Sequence, residues 1–151
     1  MICVIQRVHS ATVYADGELS GRIGKGLYLL LGVGKEDGEA DCTVLAEKIS
    51  KLRIFTDEND KMNLSLKDVG GEVLVVSNFT LFANYAHGNR PDFFGSAPAD
   101  LANRLYEFFK SEMSARIQKV ESGVFGADMT TEMSTDGPVT IVMDSKVLLK
   151  K

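Results

Sequence analysis

The chain has 151 residues, 44% of them hydrophobic and 25% charged, with a formal net charge of −4. A chain of this length buries about 68–70% of its unfolded surface, enough for one core without disulfide or metal staples. Cys3 and Cys42 form no C-x-x-C or Cys/His spacing, which argues against a disulfide framework or a zinc site and suits buried thiols in a reducing compartment.

Residues 1–8 alternate apolar with polar side chains and include Arg7, the pattern of a strand rather than a signal peptide. Residues 11–15 and 18–23 flank Asp16-Gly17, a pair that favours a tight hairpin turn with positive φ at both central positions. Residues 27–33 read as a strand buried on both faces. The longest apolar run, 27–31, is far shorter than the ~20 residues that span a bilayer. Cys42, Leu45, Ile49 and Leu52 recur at helical spacing behind a loop at 34–39. A further strand is expected at 73–76 after Gly70-Gly71. Ser96-Ala97-Pro98 reads as a helix start with a Ser cap, continued by Leu101, Leu105, Phe108, Phe109 and Met113 on one face. Three strands are expected to follow, at 120–125, 129–134 and 139–143. This order predicts an α+β (mixed α/β) fold over 1–151, a β-barrel-like sheet with two main helices packed outside. The whole reads as one cytoplasmic domain.

Several motifs carry no chemistry. Gly32-Val33-Gly34-Lys35-Glu36-Asp37-Gly38 is one residue too long for a dinucleotide fingerprint, and its acids would face the phosphates. Asp57-Glu58-Asn59-Asp60 resembles the start of a calcium loop, but Lys61 and Met62 stand where a ligand and a glycine are needed. His9 and His87 have no metal or triad spacing. Accordingly, no metal and no cofactor are expected.

Two blocks remain, Ser77-Asn78-Phe79-Thr80 and Asp136-Gly137-Pro138-Val139-Thr140. In the first, a buried apolar strand runs into polar side chains that can interrupt pairing and leave amides free for an oxyanion. The alternative is that Ser77 and Thr80 merely satisfy the strand's end. The second block has an equally plain alternative, a hairpin turn between two strands with Pro138 at a strand start. Neither block holds a His, Cys, Glu or Lys to act as acid, base or nucleophile partner. Any catalysis would have to draw on the backbone and the substrate.

These blocks occur in a longer series: Val4-Ile5-Gln6-Arg7-Val8, Ile23-Gly24-Lys25-Gly26-Leu27, Leu52-Arg53-Ile54-Phe55, Met62-Asn63, Gly88-Asn89-Arg90-Pro91 and Phe125-Gly126-Ala127-Asp128-Met129. In that order and spacing, over nearly the whole length, the chain resembles the D-aminoacyl-tRNA deacylases, also called D-tyrosyl-tRNA deacylases. The resemblance implies a homodimer that hydrolyses the ester joining a D-amino acid to the 3′ acceptor end of tRNA, with no membrane or DNA partner. It implies that Gly137-Pro138 is a Gly-cisPro element inserted into the partner subunit's site to exclude L-amino acids, held by Arg7. It further implies an oxyanion hole from the amides of Phe79 and Thr80, support from Ser77 and Thr80, and an adenosine pocket lined by Phe125 and Met129. The substrate's 2′-OH would stand in for a protein base, with Thr80 as nucleophile the rival mechanism. Whether glycine mischarged onto tRNA(Ala) is also removed stays open. Lys25, Arg22, Arg90 and Arg104 are candidates for a local basic rim. The sequence departs from the family pattern at Asn78, where Gln is usual, and at Asp92, where Ser is common.

Overall fold

A computed structural model describes residues 1–150. The chain runs β1 (Ile2–Ala15), β2 (Glu18–Ile23), β3 (Gly26–Gly32), α1 (Glu39–Lys51), β4 (Phe55–Thr56), β5 (Met62–Leu64), α2 (Leu66–Val69) and β6 (Glu72–Ser77). A 3₁₀ turn (Phe79–Phe82), α3 (Ala99–Ser114), β7 (Val120–Ser122), β8 (Met129–Asp144) and α4 (Ser145–Leu149) complete it. The main sheet has the order β2-β1-β3-β6-β7, with β8 also paired to β1. The Ser20 hydroxyl of β2 donates to the Ser122 carbonyl of β7 at 2.7 Å, drawing the two ends of this order together into a nearly closed barrel. The fold is thus the expected α+β barrel-like sheet, with α1 and α3 as its two main helices. No helix among the described residues is long and apolar enough to cross a membrane.

The β1–β2 hairpin turns at Asp16 and Gly17, with φ of 50° and 83°, as Asp-Gly demands. Leu27, Leu29 and Leu31 of β3 pack with Cys42, Leu45 and Ile49 of α1 and Leu105, Phe109 and Met113 of α3 in the larger core. Tyr28 turns to a second core with Val8, Val13, Leu74 and Val76, so β3 is buried on both faces because helices cover one and the curled sheet encloses the other. Both cysteines are buried, and burial pushes the Cys42 thiol up to about 12.

Strand β1 serves both cores by changing phase. Cys3 and Ile5 face the helices, whereas Val8, Ala11 and Val13 face the second core. The switch falls at His9, which has no opposite number, because Val8 pairs Thr135 and Ser10 pairs Ser134. One extra residue moves every later side chain to the other face.

Three expectations are corrected. The predicted strands at 129–134 and 139–143 are one strand, β8, and Asp136-Gly137-Pro138 is not a hairpin turn. Gln6 pairs Thr140 and Val8 pairs Thr135, so residues 136–139 bulge out opposite Arg7 alone. The strand predicted at 120–125 is also shorter, ending at Ser122. Ser96 does not cap α3. Pro98 occupies the cap position without a side-chain bond, and the Ser96 hydroxyl donates to the Phe93 carbonyl at 3.1 Å.

The refused motifs are structural. The Asp37 carboxylate accepts the Gly34 amide at 2.6 Å and pairs with Lys146 at 3.1 Å, closing the strand-to-helix turn. Asp57 accepts the amides of Asn59 and Lys61 at 2.8 and 3.0 Å within the β4–β5 turn.

Candidate active site

A cavity of about 450 Å³ opens between the end of β6, the loop before α3 and the residues preceding β8. This volume lies in the range of small-molecule sites. Four predicted site residues, Ser77, Phe79, Phe125 and Met129, line it, together with Asn78. Phe79 is 58% exposed and meets the edge of Phe93, with ring centroids 5.1 Å apart. Phe125 leans on Tyr106 at 6.1 Å.

Tyr106 forms part of the wall, and its hydroxyl lies 3.0 and 3.1 Å from the carbonyls of Val75 and Gly123, to which it can donate. Burial pushes its pKa far above the usual phenol value, which leaves it a structural donor rather than a base. The lining contains no His, Cys, Asp, Glu, Lys or Arg. Among the described residues no group of three His, Cys, Asp or Glu side chains is placed to hold a metal ion.

The strand end is shaped by Asn78. Its amide donates to the Leu31 carbonyl at 2.8 Å, which anchors it to β3. Its side-chain Oδ1 accepts the Thr80 amide at 3.2 Å and the Thr80 hydroxyl, capping the 3₁₀ turn in the manner of a helix N-cap. The two amides expected to form the oxyanion hole therefore differ. Phe79 has no hydrogen-bond acceptor for its amide among the described residues, while Thr80 is already engaged. Sequence reading singled out the block but assigned no contact to Asn78. The sign was present as an Asx residue two positions before a turn amide.

Thr80 itself is exposed and does not line the cavity. Its hydroxyl faces an amide oxygen, which is no general base. The Ser77 hydroxyl has no protein partner among the described residues. Of the candidate rim residues, none lines the cavity. Arg104 pairs with Glu39 at 3.4 Å, Lys25 lies 5.9 Å over the Phe55 ring, and Arg22 reaches Thr12 at 3.4 Å. Asp92 is occupied: its carboxylate accepts from the Asn84 side chain at 3.0 Å and the Phe94 amide at 3.2 Å, clipping the loop that carries Arg90.

The second block lies apart from this cavity within one chain. Arg7 is 8% exposed and sits under the bulge. Its Nη1 donates to the Ile54 carbonyl at 2.6 Å, its Nε to the Asp136 carbonyl at 3.3 Å, and its Nη2 to Asp136 Oδ1 at 3.3 Å. The Gly137–Pro138 peptide is cis, and Gly137 has φ of 132°. A Cβ at Gly137 would come within 2.6 Å of the Val139 amide nitrogen, so no other residue fits there without movement. Both Gly137 and Pro138 are exposed.

Fold and site together define a small α+β barrel-like protein whose pocket opens at a strand end and is lined without His, Cys, Asp, Glu, Lys or Arg. The model of the family described as D-Tyr-tRNA(Tyr) deacylase matches residues 4–144, and the chain belongs to that family. It is 51% identical over 146 residues to the D-aminoacyl-tRNA deacylase of Koribacter versatilis, covering 97% of this chain and 98% of the relative. The D-aminoacyl-tRNA deacylase of Thermosipho africanus is 52% identical with the same coverage. Among solved structures, one described as c-Myc DNA Unwinding Element Binding Protein superposes with a TM-score of 0.89 at 37% identity, covering 95% of this chain and 98% of that one. A probable eukaryotic D-amino acid tRNA deacylase, 15% identical with a TM-score of 0.82 over the same shares, shares the fold.

Proposed function

We propose that this protein is a D-aminoacyl-tRNA deacylase, cleaving the ester between a D-amino acid and the 3′ end of tRNA. The observation that carries the reading is the unengaged Phe79 amide beside a cavity whose lining supplies no ionisable base. An aminoacyl ester is already activated. Water adds to its carbonyl carbon, the oxyanion is held by main-chain N–H groups, and the bond to the ribose oxygen then breaks, with the proton from water ending on the departing hydroxyl. One well-placed oxyanion donor is worth about 2.7–4 kcal/mol in such a step. The neighbouring ribose 2′-OH takes the part that a protein base plays elsewhere. Phe125 and Met129 line the adenosine pocket, and Ser77 supports the oxyanion site.

Chirality is selected by exclusion. D and L isomers carry the same groups, and a 10⁴-fold preference needs about 5.5 kcal/mol, more than one neutral hydrogen bond provides. The main-chain groups of Gly137-Pro138, supplied by a second copy, leave no room for an L side chain. Arg7 holds that element through the Asp136 carbonyl. Its exposure on a bulge outside its own chain's cavity favours supply to a partner. A block aimed at the side chain does not reject glycine, so glycyl-tRNA(Ala) falls within the same reading.

The test is ester loss from D-Tyr-tRNA, L-Tyr-tRNA and Gly-tRNA(Ala) in excess chelator. Rapid loss of the D ester with the L ester spared is expected. Loss of neither ester above the buffer rate overturns the assignment.

A further inference from the structure

The Thr80 amide cannot serve a substrate while it serves Asn78. We propose that Asn78 is a displaceable latch on the oxyanion site, holding the Thr80 N–H in the empty enzyme and yielding it to the substrate's carbonyl oxygen. This rests on the deacylase reading and assigns a positioning role to the residue at which the sequence departs from the family pattern.

Three features carry it. The Asn78 backbone is fixed by its own amide, which donates to Leu31 at 2.8 Å, so the side chain can leave without unravelling the strand end. Oδ1 accepts from both the Thr80 hydroxyl and the Thr80 amide, and the amide contact, at 3.2 Å, is at the long limit of an N–H···O bond, weak enough to exchange. Asn78 also lines the cavity whereas Thr80 does not, which sets the latch between the substrate's space and the donor it covers. The unengaged Phe79 amide then captures the carbonyl first, and the Thr80 amide joins as charge develops on the oxygen. A donor that becomes available as the oxyanion forms favours the transition state over bound substrate. The cost is the amide's hydrogen bond given up per turnover, on the order of tenfold in rate; the Thr80 hydroxyl's bond to the same oxygen is exchanged for one to water, since Thr80 is exposed.

Asn78→Ala removes the competing acceptor and Asn78→Asp strengthens it, because a carboxylate holds an N–H more tightly than a neutral amide. A residue that merely caps the turn gives the opposite order, since Asp caps as well as Asn and Ala caps poorly. Under single-turnover conditions with D-Tyr-tRNA, the latch predicts that Asn78→Ala is faster than wild type by up to about tenfold and that Asn78→Asp is slower. An alanine variant slower than wild type with the aspartate variant unimpaired overturns it. An unaltered-protein measurement guards against misfolding of the variants. On titration with the non-hydrolysable 3′-amide analogue of D-tyrosyl-adenosine, the ¹⁵N–¹H signals of the Thr80 amide and the Asn78 side chain should both shift. A response at Phe79 with Thr80 and Asn78 unmoved also overturns the latch. Wild-type protein that leaves D-Tyr-tRNA uncleaved overturns the deacylase reading instead, so the two failures are told apart.

Discussion

The end of β6 is built from atoms that sequence motifs describe poorly, since the donors it presents to the cavity are amides. Under the proposed mechanism the side chain at Thr80 matters less than its nitrogen. Its hydroxyl donates to the Asn78 amide oxygen, which cannot take up a proton to generate an alkoxide nucleophile. Thr80→Ala keeps the main-chain N–H and should therefore retain D-Tyr-tRNA cleavage within about tenfold in kcat, roughly the worth of one hydrogen bond. A nucleophile's removal would cost several orders of magnitude instead. Single-turnover rates for the variant, with its Tm recorded alongside, decide between these. Asn78 was legible as a polar interruption of an apolar strand, but its reach back to the Thr80 amide depends on the tight 3₁₀ turn that follows. That turn is set by tertiary contacts of the strand end, among them the Asn78 amide bond to Leu31 on a neighbouring strand.

The bulge at residues 136–139 is the element that sequence reading divided wrongly. Asp-Gly-Pro is a local turn signal, and within a short window nothing opposes it. What overrules it is β1, whose 14 residues pair with β8 on both sides of the interruption. The helices were legible for the converse reason, because their apolar spacing repeats over a full element and each repeat meets the same core; β3 was legible because its unbroken apolar run meets a core on each face. Arg7 shows how the bulge is kept. It sits on the helix-facing side of β1 after Cys3 and Ile5, and its fork joins the bulge at Asp136 to the Ile54 carbonyl before β4. Arg7→Ala leaves the half-buried Asp136 without that partner and should cost on the order of 3 kcal/mol, lowering Tm by roughly 6–12 °C in a domain of this size. Arg7→Lys keeps the charge and loses the fork. With the exclusion element loosened, its cleavage of L-Tyr-tRNA should rise about tenfold or more relative to D-Tyr-tRNA. An unchanged D-to-L ratio in a folded lysine variant would detach Arg7 from chiral selection.

At the scale of the whole molecule, β8 is anomalous as a free strand. It is 16 residues long, pairs on one side only, and contains no fully buried residue. Long open edges are templates for pairing, and monomeric proteins ordinarily shorten or cover them. The register adds an apolar face. Val142 pairs Val4, Val4 pairs Leu30, and Leu30 pairs Val76, so four aliphatic side chains cross the sheet in one row. Val76 is 4% exposed and Val142 69%. The row is covered at one end and bare at the other, beside the exposed Gly137-Pro138 bulge. A second copy seated there would cover Val142 and bring each bulge toward the partner's cavity, the closed isologous arrangement that a two-fold axis requires. Sedimentation of the wild-type protein should then give twice the 16.5 kDa chain mass. Val142→Lys should shift it toward the monomer, because a lysine ammonium in that contact is buried without a partner. Its hand selection should fail with its dimerisation if the excluding element arrives from the second chain as proposed, and raising the variant's concentration should restore both together. A wild-type monomer that still spares L-Tyr-tRNA would show that exclusion is achieved within one chain.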